Sequence, residues 1–168
     1  LLWIYYAVAA IIILIDQLTK QWIVRDLDVG ESVQVIGEFF QITSHRNRGA
    51  AFGILQDQRT FFIIITVVII IGIIWYMNKM VKQGGRLLPL ALSLVLGGAV
   101  GNFIDRVRTG EVVDFMHFTF TFQWFGRHVE YEYAIFNVAD MAVVTGVILV
   151  LLDTFLAWRK ERKELKLK

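Results

Sequence analysis

The sequence contains no cysteine, which excludes disulfide bonds, a thiol nucleophile and a thiolate metal site. It also has little net charge, since 17 basic residues nearly balance 15 acidic ones and leave a formal charge of +2. Nucleic acid is therefore not an expected partner. Glycines occur in the segment LGGAVGN, but their spacing does not match a phosphate-binding loop.

Side chains that often carry metal or nucleophilic chemistry are also scarce. The three histidines, His45, His117 and His128, form neither an i,i+4 pair nor an HExxH motif, so no metal site is expected. Ser93 lies in an apolar segment without a base placed near it, and we interpret it as a helix-packing residue.

Long apolar segments are abundant. Hydrophobic residues make up 57% of the chain, and the mean hydropathy is +0.59, whereas roughly 45–50% is usual in soluble domains. Four segments have about the 20 apolar residues that a membrane-spanning helix needs. They cover about residues 1–24, 60–78, 87–105 and 134–158. The sequence thus predicts an α-helical integral membrane protein with four transmembrane helices, formed as a single domain from residues 1–168.

The first apolar segment could instead be a cleavable signal peptide. No basic region precedes it, and no small-residue cleavage site follows its apolar run. We therefore expect it to be a membrane span.

The distribution of lysine and arginine predicts the orientation of these spans. The short link 78–86 carries Lys79, Lys82 and Arg86 and no acid, and the segment after Trp158 carries six basic residues. Short loops rich in lysine and arginine usually stay in the cytoplasm. Both termini are therefore expected to be cytoplasmic, and the two long connections to lie on the outer side.

These outer connections, residues 25–57 and 106–133, carry strand patterns. Val33 and Val35 alternate with polar residues before a turn at Gly37, and aromatic residues alternate with Thr and Gln over residues 118–124. Such alternation is typical of β-strands, so we predict a small β-rich extracytoplasmic region. The aromatic strand is expected at the level of the lipid headgroups, where rings are favoured.

Polar residues converge at the outer ends of the spans. Asn137 and Asp140 lie at the start of the fourth span, and Asp140 is expected about 9 Å along a helix that begins at residue 134. Ionisable residues at membrane depth usually mark a functional site. The converging residues are Asp16, Lys20, Asn47, Asn102, Asp105, Arg106, Asp114, Asn137 and Asp140.

Asp114 and Asp140 are the expected chemical centre. Two close carboxylates do not ionise together easily, so they share one proton. The ionised member can then act as a general base on water, while the protonated member hydrogen-bonds a carbonyl. Gly97 and Gly101 form a GxxxG motif, which we expect to bring the third span against the fourth and Asp114 near Asp140.

Four segments of the chain resemble the motifs of lipoprotein signal peptidase, also called signal peptidase II. They are DQLTKQW at 16–22, NRGAAFG at 47–53, GGAVGNFIDRVRTGEVVDF at 97–115 and FNVAD at 136–140. All four are in the order and spacing of that family, and they extend over nearly the whole chain. The segment 115–136 is longer than is usual in the family.

The resemblance implies a bacterial inner-membrane endopeptidase, expected to be a monomer with its active site at the outer face. It would cleave diacylated prolipoproteins before the lipidated cysteine, with membrane lipid as a partner, globomycin-type peptides as inhibitors, and no metal or organic cofactor. The catalytic residues implied are Asp114 and Asp140. Supporting or substrate-binding roles are implied for Asp16, Lys20, Asn47, Gly49, Asn102, Asp105, Arg106 and Asn137.

Two other functions are compatible with intramembrane carboxylates. A proton-coupled transporter subunit would need polar groups near the midplane of the membrane, but the second span has almost none. A non-catalytic lipid-binding membrane protein would not need both Asp114 and Asp140.

Overall fold

The computed structural model describes residues 2–49 and 57–166. Within these ranges, four helices are long and apolar enough to cross a membrane, and four strands form a small sheet. The predicted fold class is thus confirmed. In chain order the elements are α1 (Leu2–Asp26), β1 (Ser32–Ile36), β2 (Phe40–Asn47), α2 (Arg59–Lys82), α3 (Leu87–Arg108), β3 (Val112–Trp124), β4 (Arg127–Glu132) and α4 (Val138–Lys166).

The fourth helix differs from its predicted bounds. It begins at Val138 and not at residue 134, because Phe136 is extended and pairs with Met116 of β3. Asp140 therefore lies in the first turn of α4. The predicted position, about 9 Å along the helix, is wrong. The helix continues beyond residue 158 to Lys166, since its last part is rich in Arg, Lys, Glu and Leu, which favour helix.

The sheet is antiparallel, with the strands in the order β1-β2-β3-β4. It lies at the end of the bundle where α1 and α3 end and α4 begins. A two-residue turn joins β3 to β4, and both turn residues, Phe125 (φ 47°) and Gly126 (φ 74°), have positive φ. Such turns match the twist of the strands that they connect. Gly37 also has positive φ (50°) in the predicted turn between β1 and β2.

Helix α3 is the central helix, and it packs against α1, α2 and α4. Small residues allow these close approaches. A Cβ added at Gly146 would lie 2.7 Å from the Ala91 carbonyl oxygen, and one added at Gly98 would meet the Ala139 carbonyl oxygen. Gly98 and Gly146 are thus the residues that let α3 and α4 pack closely.

The predicted role of the GxxxG motif is partly wrong. Gly97 faces α1, because a Cβ there would lie 2.8 Å from Cβ of Ile12. Gly101 lies between α1 and α4, where an added Cβ would be 2.6 Å from the Asp16 carboxylate and 3.3 Å from Cβ of Ala139. The spacing of glycines along one helix does not indicate which neighbouring helix each of them faces.

Candidate active site

Asp114 and Asp140 are held next to each other by Asn137. The side-chain amide of Asn137 donates a hydrogen bond to Oδ1 of Asp114 (2.7 Å), and its backbone N–H donates to Oδ2 of Asp140 (3.1 Å). Asn47 donates to the other oxygen of Asp114 (3.0 Å), and Asn102 donates to the other oxygen of Asp140 (2.8 Å). Three asparagines therefore donate to all four carboxylate oxygens.

The start of α4 positions Asp140 through a reciprocal helix cap. The backbone N–H of Asp140 donates to Oδ1 of Asn137 (3.0 Å), while Oδ2 of Asp140 accepts the Asn137 N–H. This is the arrangement of a capping box, formed here by Asn and Asp in the motif FNVAD. Because the cap fixes both side chains against the helix terminus, Asp140 keeps its orientation toward Asp114.

Asp114 is the third residue of β3 and is 2% exposed. Its strand neighbour on β2 is His45, and the N–H of the preceding residue, Val113, donates to Oδ2 of Asp105 (3.3 Å). The start of β3 is thus anchored to the last turns of α3. This anchor brings Asp114 back over the bundle, against Asn137.

A buried ion-pair cluster lies beneath the two carboxylates. Nζ of Lys20 lies 2.9 Å from Oδ2 of Asp16 and 2.8 Å from Oδ2 of Asp105, and it donates to Oδ1 of Asn102 (2.8 Å). The second oxygen of Asp16 accepts the backbone N–H of Ala139 (3.0 Å). Lys20 therefore connects α1 with α3 directly and with α4 through Asp16.

The predicted residues Arg106 and Gly49 also reach the site. The Arg106 guanidinium donates to the Gly49 carbonyl (3.2 Å) and stacks over the ring of Phe62 at 4.7 Å. The Gly49 N–H donates to Oδ1 of Asn47 (2.9 Å), which leaves the Asn47 amide free to face Asp114. The rest of the predicted motif, residues 50–53, lies outside the described residues.

The chain is similar to known proteins over nearly its whole length. Residues 8–156 match the family model of signal peptidase (SPase) II. The chain belongs to the signal peptidase II family. It is 52% identical to the lipoprotein signal peptidase of Brevibacillus brevis over 158 residues, which are 94% of this chain and 99% of that protein. It is 47% identical to the Bacillus subtilis protein of that name over 161 residues, or 96% and 99% of the two chains.

A solved bacterial membrane enzyme has the same fold. It is 41% identical to this chain and superposes with a TM-score of 0.77, covering 90% of this chain and 87% of its own. The chain is therefore a bacterial membrane protein and a peptidase of lipoprotein processing. Membership of the signal peptidase II family favours this function over the transporter that intramembrane carboxylates also allowed.

In this member of the signal peptidase II family, the site shifts the pKa values of Asp114 and His45. Burial and, to a smaller extent, the negative charge of Asp140 raise the pKa of Asp114, and the hydrogen bonds from Asn47 and Asn137 lower it, so that the pKa is about 7. Burial also lowers the pKa of the neighbouring His45. At neutral pH the pair of carboxylates can thus hold one proton, which suits acid–base chemistry.

The two carboxylates lie in a cleft of about 1020 Å³. The part of the cleft nearest the sheet is polar and includes Asn47, Asn102 and Arg106, whereas the part between the helices is lined by apolar residues such as Ile69 and Val143. An extended peptide bound in this cleft would place apolar side chains between the helices, and its backbone would reach the two carboxylates at the polar end of the cleft. Among residues 2–49 and 57–166, no group of three or more His, Asp or Glu side chains is arranged to hold a metal.

Two residues of the site were not singled out from the sequence. The Gln17 amide donates to Oδ1 of Asp105 (2.9 Å) and to the Gly101 carbonyl (3.1 Å), and Arg59 donates to the carbonyls of Arg106 (2.9 Å) and Val107 (2.6 Å) at the end of α3. Gln17 lies within the motif DQLTKQW at 16–22, and this position is the only sequence feature that could have indicated its role. Nothing in the local sequence indicates the capping role of Arg59, because the sites it caps are almost 50 residues away.

Replacement of Lys20 by methionine should destabilise the protein by about 3–5 kcal/mol, because it leaves buried carboxylates without their cation. The free energy of unfolding in mixed micelles would measure this loss. The matched control is Arg25→Met on the same helix, since Arg25 pairs with Asp26 in solvent and should be replaceable with little change. Equal stability of the two variants would contradict the structural role of Lys20.

Proposed function

We propose that the chain is an aspartyl endopeptidase that removes the signal peptide from diacylglyceryl-modified prolipoproteins, cleaving before the lipidated cysteine. The observation that carries this proposal is the pair Asp114 and Asp140, whose four oxygens all accept hydrogen bonds from asparagine. Such a pair is suited to activating water. The printed name of the relatives, lipoprotein signal peptidase, supports the choice of substrate.

The reaction requires one proton on the pair of carboxylates. The ionised carboxylate takes a proton from water as the water oxygen attacks the scissile carbonyl carbon, and the protonated carboxyl donates to the carbonyl oxygen. The C–N bond of the resulting tetrahedral intermediate then breaks. The departing cysteine nitrogen takes a proton from the pair, and one hydroxyl group of the intermediate returns its proton to the pair as the new carboxyl group forms, so the pair again holds one proton. Because the two carboxylates titrate as a unit, neither is assigned as acid or base alone.

The cleft provides a place for each part of this substrate. Its apolar walls between α2, α3 and α4, which include Ile69 and Val143, would accept apolar parts of the signal peptide and the acyl chains. Asn47 and Arg106 at its polar end would hold the peptide backbone near the carboxylates. The lipidated cysteine would then remain in the membrane while its peptide bond meets water.

The variants Asp114→Asn and Asp140→Asn should each lose at least about 100-fold in cleavage rate, since acid–base groups typically contribute 10²–10⁴. Cleavage of a diacylglyceryl-modified prolipoprotein, with the new N-terminal cysteine identified by mass spectrometry, measures this. The control is Asp153→Asn, which lies further along α4 and should cleave normally. A thermal shift with a globomycin-type peptide tests whether each inactive variant is folded. Near-normal cleavage by either variant would remove that aspartate from the mechanism, and an inactive parent protein would favour simple lipid binding.

The rate of cleavage should fall as the pH rises through about 7, because the pair of Asp114 and Asp140 then loses the one proton that it shares; the pKa of Asp114, raised to about 7, gives the position of this loss. The hydrogen bond from Asn47 lowers this pKa, so Asn47→Ala should move the basic limb of kcat/KM to higher pH. The pH profile of kcat/KM measures the position of the limb independently of the size of the rate. The variant His45→Gln tests whether the strand neighbour is the titrating group. A limb that moves with His45→Gln and stays unchanged with Asn47→Ala would contradict the assignment.

The proposed orientation places both termini and the link 78–86 in the cytoplasm, with the cleft and the sheet on the outer side. The basic residues of the link and of the end of α4 support it. Since the chain has no cysteine, a single cysteine introduced at one position can be labelled to show on which side of the membrane that position lies. The variant Glu130→Cys should react with a membrane-impermeant maleimide on intact spheroplasts, and Gln83→Cys only after permeabilisation. The reverse pattern would invert the topology.

A further inference from the structure

Helix α2 forms one wall of the cleft, and its close packing on the bundle lies in its second half. Met77 is the one buried residue of this helix, and it packs with Ala9 and Leu92. In the first half, Thr66 and Ile69 line the cleft. The position of this wall near the two carboxylates therefore depends on the contacts that the first turn of α2 makes.

Arg59 joins the first turn of α2 to the end of α3. Its Nε donates to the Arg106 carbonyl (2.9 Å), and its Nη2 donates to the Val107 carbonyl (2.6 Å). Both carbonyls belong to the last turn of α3, where the helix leaves carbonyl groups without an internal partner and its dipole favours a cation. The space is close-fitting, since a Cβ added at Gly110 would lie 3.3 Å from Cδ of Arg59.

The same turn of α2 also contacts the side chain of Arg106. The ring of Phe62 lies 4.7 Å from the Arg106 guanidinium, which donates to the Gly49 carbonyl (3.2 Å). A planar guanidinium can stack on a ring and donate hydrogen bonds at its edge at the same time. Arg59 and Phe62, three residues apart on one face of the helix, thus hold Arg106 at its backbone and at its guanidinium.

These contacts continue from Arg106 to the carboxylate of Asp114. The Gly49 N–H donates to Oδ1 of Asn47 (2.9 Å), and the Asn47 amide donates to Asp114 (3.0 Å). Every step from Arg59 to Asp114 is a direct hydrogen bond or lies within one residue. A displacement of the first turn of α2 can therefore reach the carboxylate through a continuous set of contacts.

We propose that Arg59 is a positioning residue, which acts through Arg106 to fix the segment Asn47–Gly49 at the polar end of the cleft. It has no hydrogen bond to either carboxylate among the described residues, so it is not a catalytic group. The proposal rests on the proposed peptidase function for its effect on the reaction. A peptide backbone held by Arg106 and Asn47 needs both groups in place, and small displacements of such groups are costly in enzymes.

The competing interpretation is that Arg59 is only a helix cap. It would then stabilise the last turn of α3 and have no effect on the substrate. The two interpretations differ in what they predict for Gly49, whose carbonyl is bonded to Arg106 and not to Arg59. They also differ in the kinetic constant that changes, because a loss of folded protein lowers the apparent kcat and leaves KM unchanged.

Hydrogen exchange of the full chain in nanodiscs, resolved to single N–H groups by mass spectrometry, tests the positioning role. The variant Arg59→Met should exchange faster than the parent at Gly110, whose N–H donates to the Arg106 carbonyl (3.1 Å), and at the Gly49 N–H. The matched control is Arg108→Met. Arg108 is the exposed last residue of α3, so this variant loses the same charge beside Val107 but keeps both hydrogen bonds of Arg59.

Cleavage kinetics with a diacylglyceryl-modified prolipoprotein provide the second measurement. KM of Arg59→Met should rise about tenfold, which is the effect of weakening roughly one hydrogen bond to a charged group. The value of kcat should stay nearly unchanged, since a group that holds the substrate equally before and during the reaction affects KM alone. Arg108→Met should keep both constants of the parent protein.

Faster exchange at Gly110 and Gly49 together with a raised KM supports the proposal. Faster exchange at Gly110 alone would overturn it, because Arg59 would then be a cap of α3 and no more. A normal KM despite faster exchange, or an equal effect of Arg108→Met, would also overturn it. If the parent protein itself cleaves no prolipoprotein, the peptidase function fails. Exchange at Gly49 then decides by itself whether Arg59 positions the segment.

Discussion

The ammonium group of Lys20 is the interaction on which the rest of the site depends. It is buried between Asp16 and Asp105 and also donates to Asn102. A buried charge is costly unless it is paired and fully hydrogen-bonded. Helices α1, α3 and α4 therefore have little freedom to shift relative to one another, because a shift would break this pairing. The two carboxylates extend this constraint, because Asp16 accepts the Ala139 N–H at the start of α4 and Asp105 accepts the Val113 N–H at the start of β3. One cation thus fixes the segments that carry Asp140 and Asp114.

Asparagine is well suited to hold Asp114 and Asp140, the proposed catalytic pair. A cation placed against each carboxylate would favour ionisation of both and would lower their pKa values. Asn47, Asn102 and Asn137 donate hydrogen bonds but carry no charge, so the oxygens are oriented while the pKa of Asp114 stays near 7. The charged cluster around Lys20 holds the surrounding helices in place, and the neutral asparagine amides orient the carboxylates of Asp114 and Asp140. This separation explains why so many polar residues surround only two carboxylates.

Much of this arrangement could be predicted from particular residues. The apolar segments indicated the four spans, and the alternation from Phe118 to Trp124 indicated a strand, because each periodicity reflects one local geometry. The motif FNVAD also contains a recognisable cap, Asn137 with Asp140, which would have placed the start of α4 correctly. The start was predicted four residues too early because Ala134 and Ile135 are apolar and do not by themselves end a membrane segment. The pairing of Phe136 with Met116 excludes them from the helix, and that pairing is a long-range contact.

The sequence by itself determined the class of protein, the membrane spans and the identity of the polar residues that meet at one end of the bundle. These properties depend on composition and on short spacings, which act locally. Only the tertiary structure decided which partner each polar residue has, that Gly97 faces α1 while Gly98 faces α4, and that Arg59 caps α3. Such contacts join residues far apart in the chain, and they follow from the way whole helices and strands pack, which no local pattern encodes.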